Sequence, residues 1–212
     1  MRRYASASPR RSENDTPMAE STEDRCPVAL LLIDVINDLS FPEGPDLQPH
    51  MAAAAERMAD LKARARAAGV PVVYVNDNFG RWRSDFRATV DHALREDSRG
   101  KAIVERLKPD AERDYFVLKP RHSGFYHTVL DHLLGDLGAE TLVLCGVAGN
   151  ICVQMTAHDA LLRGYRVVVP EDAVASNTPD LNAAALEQMR VVCKADVPAA
   201  ADVDFETLKS TH

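Results

Sequence analysis

Short, uninterrupted apolar runs alternate with stretches of helical periodicity, and this alternation leaves the chain few folds to choose from. The runs are VALLLID (Val28–Asp34), PVVYVN (Pro71–Asn76), YFVLK (Tyr115–Lys119), TLVLCGV (Thr141–Val147) and RVVV (Arg166–Val169). A strand with one wet face alternates apolar with polar residues. Continuous runs suit strands covered on both faces, as in the middle of a parallel sheet. Between them, Met51–Ala68 is rich in Ala, Arg and Glu and stops at Gly69. Thr128–Leu137, closed by Gly138, carries Val129, Leu130, Leu133, Leu134 and Leu137 at helical spacing. Cys152–Leu162 and Leu181–Met189 continue the pattern, a mixed helical region runs up to Leu107, and Val191–Val192 reads as a short last strand. The expectation is an α/β fold: a three-layer, mostly parallel sheet with helices on both faces and right-handed crossovers. With 212 residues, the chain is expected to form a single domain over 27–212. Residues 1–26 are polar and aperiodic, read as a disordered tail, within which Met18 is an alternative start.

Composition removes several function classes. The net charge is −7 and no basic patch exceeds a few residues, so no nucleic-acid partner is expected. No apolar run reaches membrane-spanning length, and Arg2–Arg3 is not followed by the apolar stretch of an export signal. Cys26, Cys145, Cys152 and Cys193 form no C-x-x-C pair, which points to free thiols in a reducing cytoplasm. Gly146-x-x-Gly149 lacks the third glycine of a dinucleotide loop, and no Gly-x-Ser-x-Gly elbow occurs. His122, His127 and His132 stand five apart, the wrong spacing for ligands on one helix face.

In parallel sheets, functional groups gather at the carboxyl ends of the strands. Asp34 and Lys119 each end an apolar run, and Cys152 opens the helix after another. A thiol in a first helical turn feels the positive end of the helix, and a nearby ammonium also favours the thiolate. A carboxylate beside them can accept the thiol proton and return it to a leaving group. Taken singly, Cys152 also reads as a small core residue, Asp34 as a cap and Lys119 as a solvated surface group. Their joint placement at strand ends suits acyl transfer, with the turn Val147–Cys152 offering backbone N–H groups to an oxyanion.

The segments Leu31–Asp38, Lys119 with Ser123-Gly124-Phe125, and Gly146–Val153, with Ala157-His158-Asp159-Ala160 and Gly164-Tyr165 beyond it, resemble the isochorismatase-like cysteine hydrolase superfamily. That superfamily includes nicotinamidases, N-carbamoylsarcosine amidohydrolases and isochorismatases. The resemblance covers about 27–195 and implies the isochorismatase-like fold and catalytic Asp34, Lys119 and Cys152. It also implies a cis peptide at Val147–Ala148 that turns the N–H groups of Ala148 and Cys152 toward the oxyanion. Many members carry Gln-Asn-Asp-Phe where this chain has Ile36-Asn37-Asp38-Leu39, and Thr at the place of Gly149. Metal-binding nicotinamidases have an Asp-x-His pair and a further His after the second strand. Here Asn76–Trp82 contains no histidine, so neither a catalytic metal nor another cofactor is expected.

The leading expectation is a hydrolase of a small-molecule amide or related C–N bond acting through a thioester. The rivals are vinyl ether hydrolysis of an isochorismate-type substrate on the same fold, and a non-catalytic binding or scaffold protein. Ile36, Leu39, Trp82, Phe125 and Tyr126 are candidate substrate-binding residues, and His122 can edge the pocket. A dimer or tetramer follows from the resemblance.

Overall fold

The computed structural model describes residues 25–80, 82–83 and 85–211. The tail expected over 1–26 therefore lies outside the described residues except at its end. There, Cys26 is buried and its N–H donates to Leu137 O (2.9 Å), so the packed fold includes it.

Five strands lie side by side in the order β3-β2-β1-β4-β5, all parallel. They are β1 (Val28–Ile33), β2 (Val72–Asp77), β3 (Tyr115–Lys119), β4 (Thr141–Val147) and β5 (Arg166–Val168). A sixth, β6 (Val174–Ala175), pairs with the end of β4 at Gly146 and Val147. The helices are α1 (Gly44–Ala67), α2 (Phe86–Ala93), α3 (Lys101–Arg106), α4 (Leu130–Leu137), α5 (Gln154–Leu162), α6 (Pro179–Val192) and α7 (Phe205–Ser210).

Each strand sends alternate side chains to opposite faces, and both faces are covered. Val28, Leu30 and Leu32 join Tyr74, Val143 and Cys145 beneath α1, α2, α3 and α7, through Met51, Met58, Leu61, Phe86, Val104 and Phe205. Ala29, Leu31 and Ile33 join Val73, Val75, Leu142 and Leu144 beneath α4, α5 and α6, through Leu130, Leu134, Ala157, Ala160 and Met189. All six residues of β1 are fully buried, which is why the run contains no polar residue. Each such leucine contributes about 1.5–3 kcal/mol by leaving water.

Two local expectations fail for physical reasons, and one strand goes unforeseen. The first helix begins at Gly44, not Met51, because Pro45 sits where no helical N–H is needed and Pro49 is accommodated early in the helix. Val191–Val192 is not a strand but the half-exposed end of α6. The true sixth strand, two residues long, is too short to carry any periodicity.

Strand order reverses direction between β1 and β4, since the chain moves outward through β2 and β3 and then returns to the other side of β1. In open α/β sheets the crevice at such a switch point is the binding position. Asp34 leaves β1 there, and Cys152 follows β4.

Candidate active site

Asp34 has a φ of +52°, in the left-handed region, at a cost of roughly 1–3 kcal/mol for a side-chain-bearing residue. Its surroundings enforce this. The Asp34 N–H donates to Val75 O (2.9 Å). The fully buried Asn76 side chain accepts the Ile36 N–H (3.0 Å) and donates to Ile36 O (2.9 Å), pinning the chain just beyond. The carboxylate is thereby turned across the strand ends. Oδ1 accepts the Asp77 N–H (2.6 Å) and Oδ2 lies 2.8 Å from Lys119 Nζ.

Lys119 is completely buried and its ammonium is shared. Besides Asp34, it lies 3.5 Å from Asp77 Oδ2 and 3.6 Å from Cys152 Sγ. Asp77 was not singled out from the sequence. The signal was there, since β2 also ends in a carboxylate, but its meaning needed the register that sets Asp77 opposite Lys119. Burial pulls the Lys119 pKa down, yet the charges of Asp34, Cys152 and Asp77 outweigh it and the ammonium is held above its ordinary range. Burial raises the Asp34 carboxyl against the opposing pull of Lys119. Burial, then the Asp34 charge, raises the Cys152 thiol, with Lys119 opposing. Lys119 therefore pulls the sulfur toward the thiolate, while burial and the Asp34 charge pull it the other way and prevail.

Cys152 lies in a π-helical turn, Gly149–Val153, that leads into α5. The Val147–Ala148 peptide bond is cis. Ala148 O accepts the N–H groups of Ile151 (3.0 Å) and Val153 (3.2 Å), and the Asn150 N–H donates to Ser176 Oγ (3.1 Å). Two glycines allow this path. Gly146 has a φ of +126°, and a Cβ on it would lie 2.1 Å from Ile33 O. A Cβ on Gly149 would meet Asn182 Oδ1 at 2.5 Å, Val174 Cγ1 at 2.7 Å and Ser176 Oγ at 2.9 Å. Asn182 and Ser176 fill the space that a threonine would need.

His122 Nδ1 lies 3.9 Å from Cys152 Sγ and joins the thiol to a groove of about 670 Å³ whose lining includes Ser123, Tyr126, Asn150, Gln154 and His158. Tyr126 is half exposed at this groove, and the Asn150 Oδ1 beside it is buried without a hydrogen-bond partner. Ile36 borders a separate small cavity of about 90 Å³ with Asp38, Phe79 and His92. Trp82 is 79% exposed on the loop after β2. Two candidate pocket residues are corrected. Leu39, in a left-handed turn, points wholly into the core. Phe125 is buried against Tyr165 (ring centroids 5.9 Å apart) with the Arg163 guanidinium 4.6 Å above its ring. Both were expected to face a ligand because apolar residues beside a catalytic motif suit a pocket wall and a core equally well. Among the described residues, no cluster of three or more His, Cys, Asp or Glu side chains is arranged to hold a metal, and no helix is long and apolar enough to cross a membrane.

Comparison with known proteins identifies the family. A family model for the isochorismatase domain matches residues 28–201. The uncharacterized isochorismatase family protein YaaI of Bacillus subtilis (strain 168) is 37% identical over 169 residues, spanning 80% of this chain and 92% of that protein. Streptothricin hydrolase of Streptomyces noursei is 36% identical over 148 residues, 70% of this chain but 54% of its own length. The crystal structure of N-carbamoylsarcosine amidase from Thermoplasma acidophilum superimposes with a TM-score of 0.64 at 30% identity, covering 84% of this chain and 98% of that one. With a family match running from the first strand to beyond the last, over a parallel sheet whose switch point gathers Asp34, Lys119 and Cys152, the chain belongs to the isochorismatase family of hydrolases.

Proposed function

We propose that this hydrolase cleaves a C–N bond of a small amide or ureido compound through a thioester on Cys152, with Asp34 carrying the proton. The observation that carries this reading is the position of Lys119 Nζ, 2.8 Å from Asp34 and 3.6 Å from the sulfur. As sulfur attacks the carbonyl carbon, the thiol proton passes to Asp34 and the C–S bond forms. Loss of the sulfur proton is matched by its gain on the carboxylate, so the side chains themselves acquire no net charge in their buried setting. A carboxyl raised by burial is the stronger base for this transfer. Backbone N–H groups of Ala148 and Cys152 receive the oxyanion; one such donor contributes about 3–4 kcal/mol to the barrier. Asp34 then protonates the departing nitrogen as the C–N bond breaks. Water attacks the thioester and gives its proton to Asp34, and the sulfur leaves and recovers that proton.

The groove beyond His122 holds the rest of the substrate, with Tyr126 as a wall and Asn150 as a hydrogen-bond acceptor. Ile36 and Trp82 shape the opposite approach, while Leu39 and Phe125 act from beneath as packing. The name of the N-carbamoylsarcosine amidase neighbour supports a C–N bond as the target, and that of the streptothricin hydrolase relative supports hydrolysis. We place the protein in the cytoplasm as a homo-oligomer; Tyr126 and Met155, half-exposed on the groove, suit coverage by a second copy.

The test is a screen of small amides and ureas for ammonia release, followed by acid quench and intact-mass analysis. The expected result is a substrate-derived adduct on Cys152. Turnover of a vinyl ether without any adduct would replace the mechanism. Failure of every substrate, with Cys152 no more reactive toward iodoacetamide than the other thiols, would leave a binding protein.

A further inference from the structure

We propose that Asp77 is the counter-ion that keeps Lys119 charged while Asp34 is protonated and the Cys152 sulfur is esterified. The inference rests on the thioester mechanism above and adds a positioning residue to it. In the resting site Lys119 has Asp34 at 2.8 Å and Asp77 at 3.5 Å. One carboxylate would suffice to neutralise one ammonium. The second is needed whenever Asp34 holds the proton and the sulfur is bound to carbon, during acylation and again during hydrolysis. When water attacks the thioester, its O–C bond forms and its proton passes to Asp34. The carboxyl is then neutral, and the sulfur, bound to carbon, carries no charge either. A completely buried ammonium left without an anion costs several kcal/mol, and Lys119 would have to surrender its proton as the step proceeds. Asp77 takes no part in that transfer, so its charge persists through it.

The backbone fixes Asp77 for this task. Asp77 and Lys119 are direct partners across β2 and β3. The Asp77 N–H holds Asp34 Oδ1 at 2.6 Å, and its own Oδ1 accepts the Phe79 N–H at 2.6 Å, leaving Oδ2 toward Lys119. The ionisable groups around the thiol are Asp34 after β1, Lys119 on β3 and His122 in the following loop, with Asp77 on β2 reaching it through Lys119.

Asp77→Asn removes the charge and retains an acceptor for Phe79. With p-nitrophenyl acetate as the acyl donor, the burst of p-nitrophenolate reads acylation, and loss of the acetyl group from Cys152 by intact mass reads hydrolysis. Asp77→Asn is expected to slow both the burst and acetyl loss about tenfold, because Asp34 is protonated and the sulfur is bound to carbon in each step, with Asp77→Glu restoring most of both rates. Acetyl loss at the wild-type rate overturns the proposal, as does slowing that Asp77→Glu fails to reverse, which a merely structural role would give. If the Asn variant does not fold, Asp77→Ser is read in the same way. A second readout needs no acyl group: the pH midpoint of Cys152 alkylation by iodoacetamide should fall by about one unit in Asp77→Asn, because Lys119, 3.6 Å from the sulfur, loses its second anion and its charge acts more fully on the thiol. An unmoved midpoint also overturns the proposal. A wild-type Cys152 that never takes the acetyl group sinks the thioester mechanism together with the timing given to Asp77. A shifted midpoint in that case still establishes the charge coupling.

Discussion

Strand β3 has a buried lysine cluster at each end, and the two are built on opposite plans. Asp114, immediately before the strand, accepts Arg66 at 2.7 Å and lies 3.4 Å from Lys62. Lys62 also donates to Tyr74 Oη (2.6 Å) and Lys108 O (2.7 Å), and Tyr74 in turn donates to Leu107 O (2.6 Å). Two cations here share one carboxylate, and the lysine is further tied to neutral oxygens. Burial, with the repulsion of Arg66, lowers the Lys62 pKa against the attraction of Asp114. At the other end, roughly 17 Å away at strand spacing, one cation is shared by two carboxylates and a thiol, and its pKa is raised. Surplus cations around one anion lock α1 to the start of β3. Surplus anions around one cation are what the proposed mechanism requires for a proton to move between Cys152 and Asp34. Similar residue types therefore serve cohesion at one end and, in the proposed mechanism, chemistry at the other.

Substitutions can break this contrast in graded steps. The largest effect is expected from Cys152→Ala: ammonia release from any substrate found should fall on the order of 10⁴-fold or more, with the urea unfolding midpoint within about 0.5 kcal/mol of wild type. Residual turnover near the wild-type rate would remove the chemical half of the comparison. The mirror experiment is Asp114→Ala, which leaves Lys62 and Arg66 without their shared anion. It should cost about 3–5 kcal/mol in urea unfolding, while the folded fraction alkylates at Cys152 with the wild-type pH profile. A displaced profile would show that the two clusters communicate.

A smaller effect is expected from Lys62→Met. Asp114 keeps Arg66 and Tyr74 keeps Leu107 O, so the loss should stay near 1 kcal/mol by the same measurement. The finest test is the sign of the pH dependence between pH 8 and 11. Lys62 has a folded pKa below its unfolded value of about 10.4. Unfolding therefore takes up protons in that window, and its burial penalty is relieved as pH rises toward 10.4. Lys119 is raised, so its stabilisation is complete below about 10.4 and is lost as pH climbs through the folded value. Referenced to Lys62→Met, wild type should gain stability on approaching pH 10.4; referenced to Lys119→Met, it should lose stability above it. The same sign for both would contradict the contrast.

Much of this was legible in the chain itself. The five long strands announced themselves because strands covered on both faces tolerate few polar residues, and a charge that ends such a run is conspicuous at Asp34 and Lys119. What escaped had no local signature. β6 is two residues long. Pro45 and Pro49 made the first turns of α1 look like loop. The β-branched Val191–Val192 suggested a strand where α6 simply ends. The role of Asp77 depends on a cross-strand partner 42 residues away, and the burial of Leu39 and Phe125 depends on which way two loops turn. Asn182 was invisible for the same reason: its importance lies in where α6 docks.

That docking limits how the sequence can vary. The Asn182 amide donates to Val174 O (3.1 Å) and its oxygen accepts from Ser176 Oγ (3.0 Å), filling the room beside Gly149. Positions 149, 176 and 182 therefore cannot drift independently. A side chain gained at 149 would press on Val174 as well as Asn182 and Ser176, so it would be tolerated only after these surroundings were reduced or shifted, and reducing them first would open a void beside the Cys152 turn. An evolutionary path between the glycine and threonine forms of this turn must cross a less stable intermediate, so swapping residue 149 alone between relatives would misjudge what each form can do.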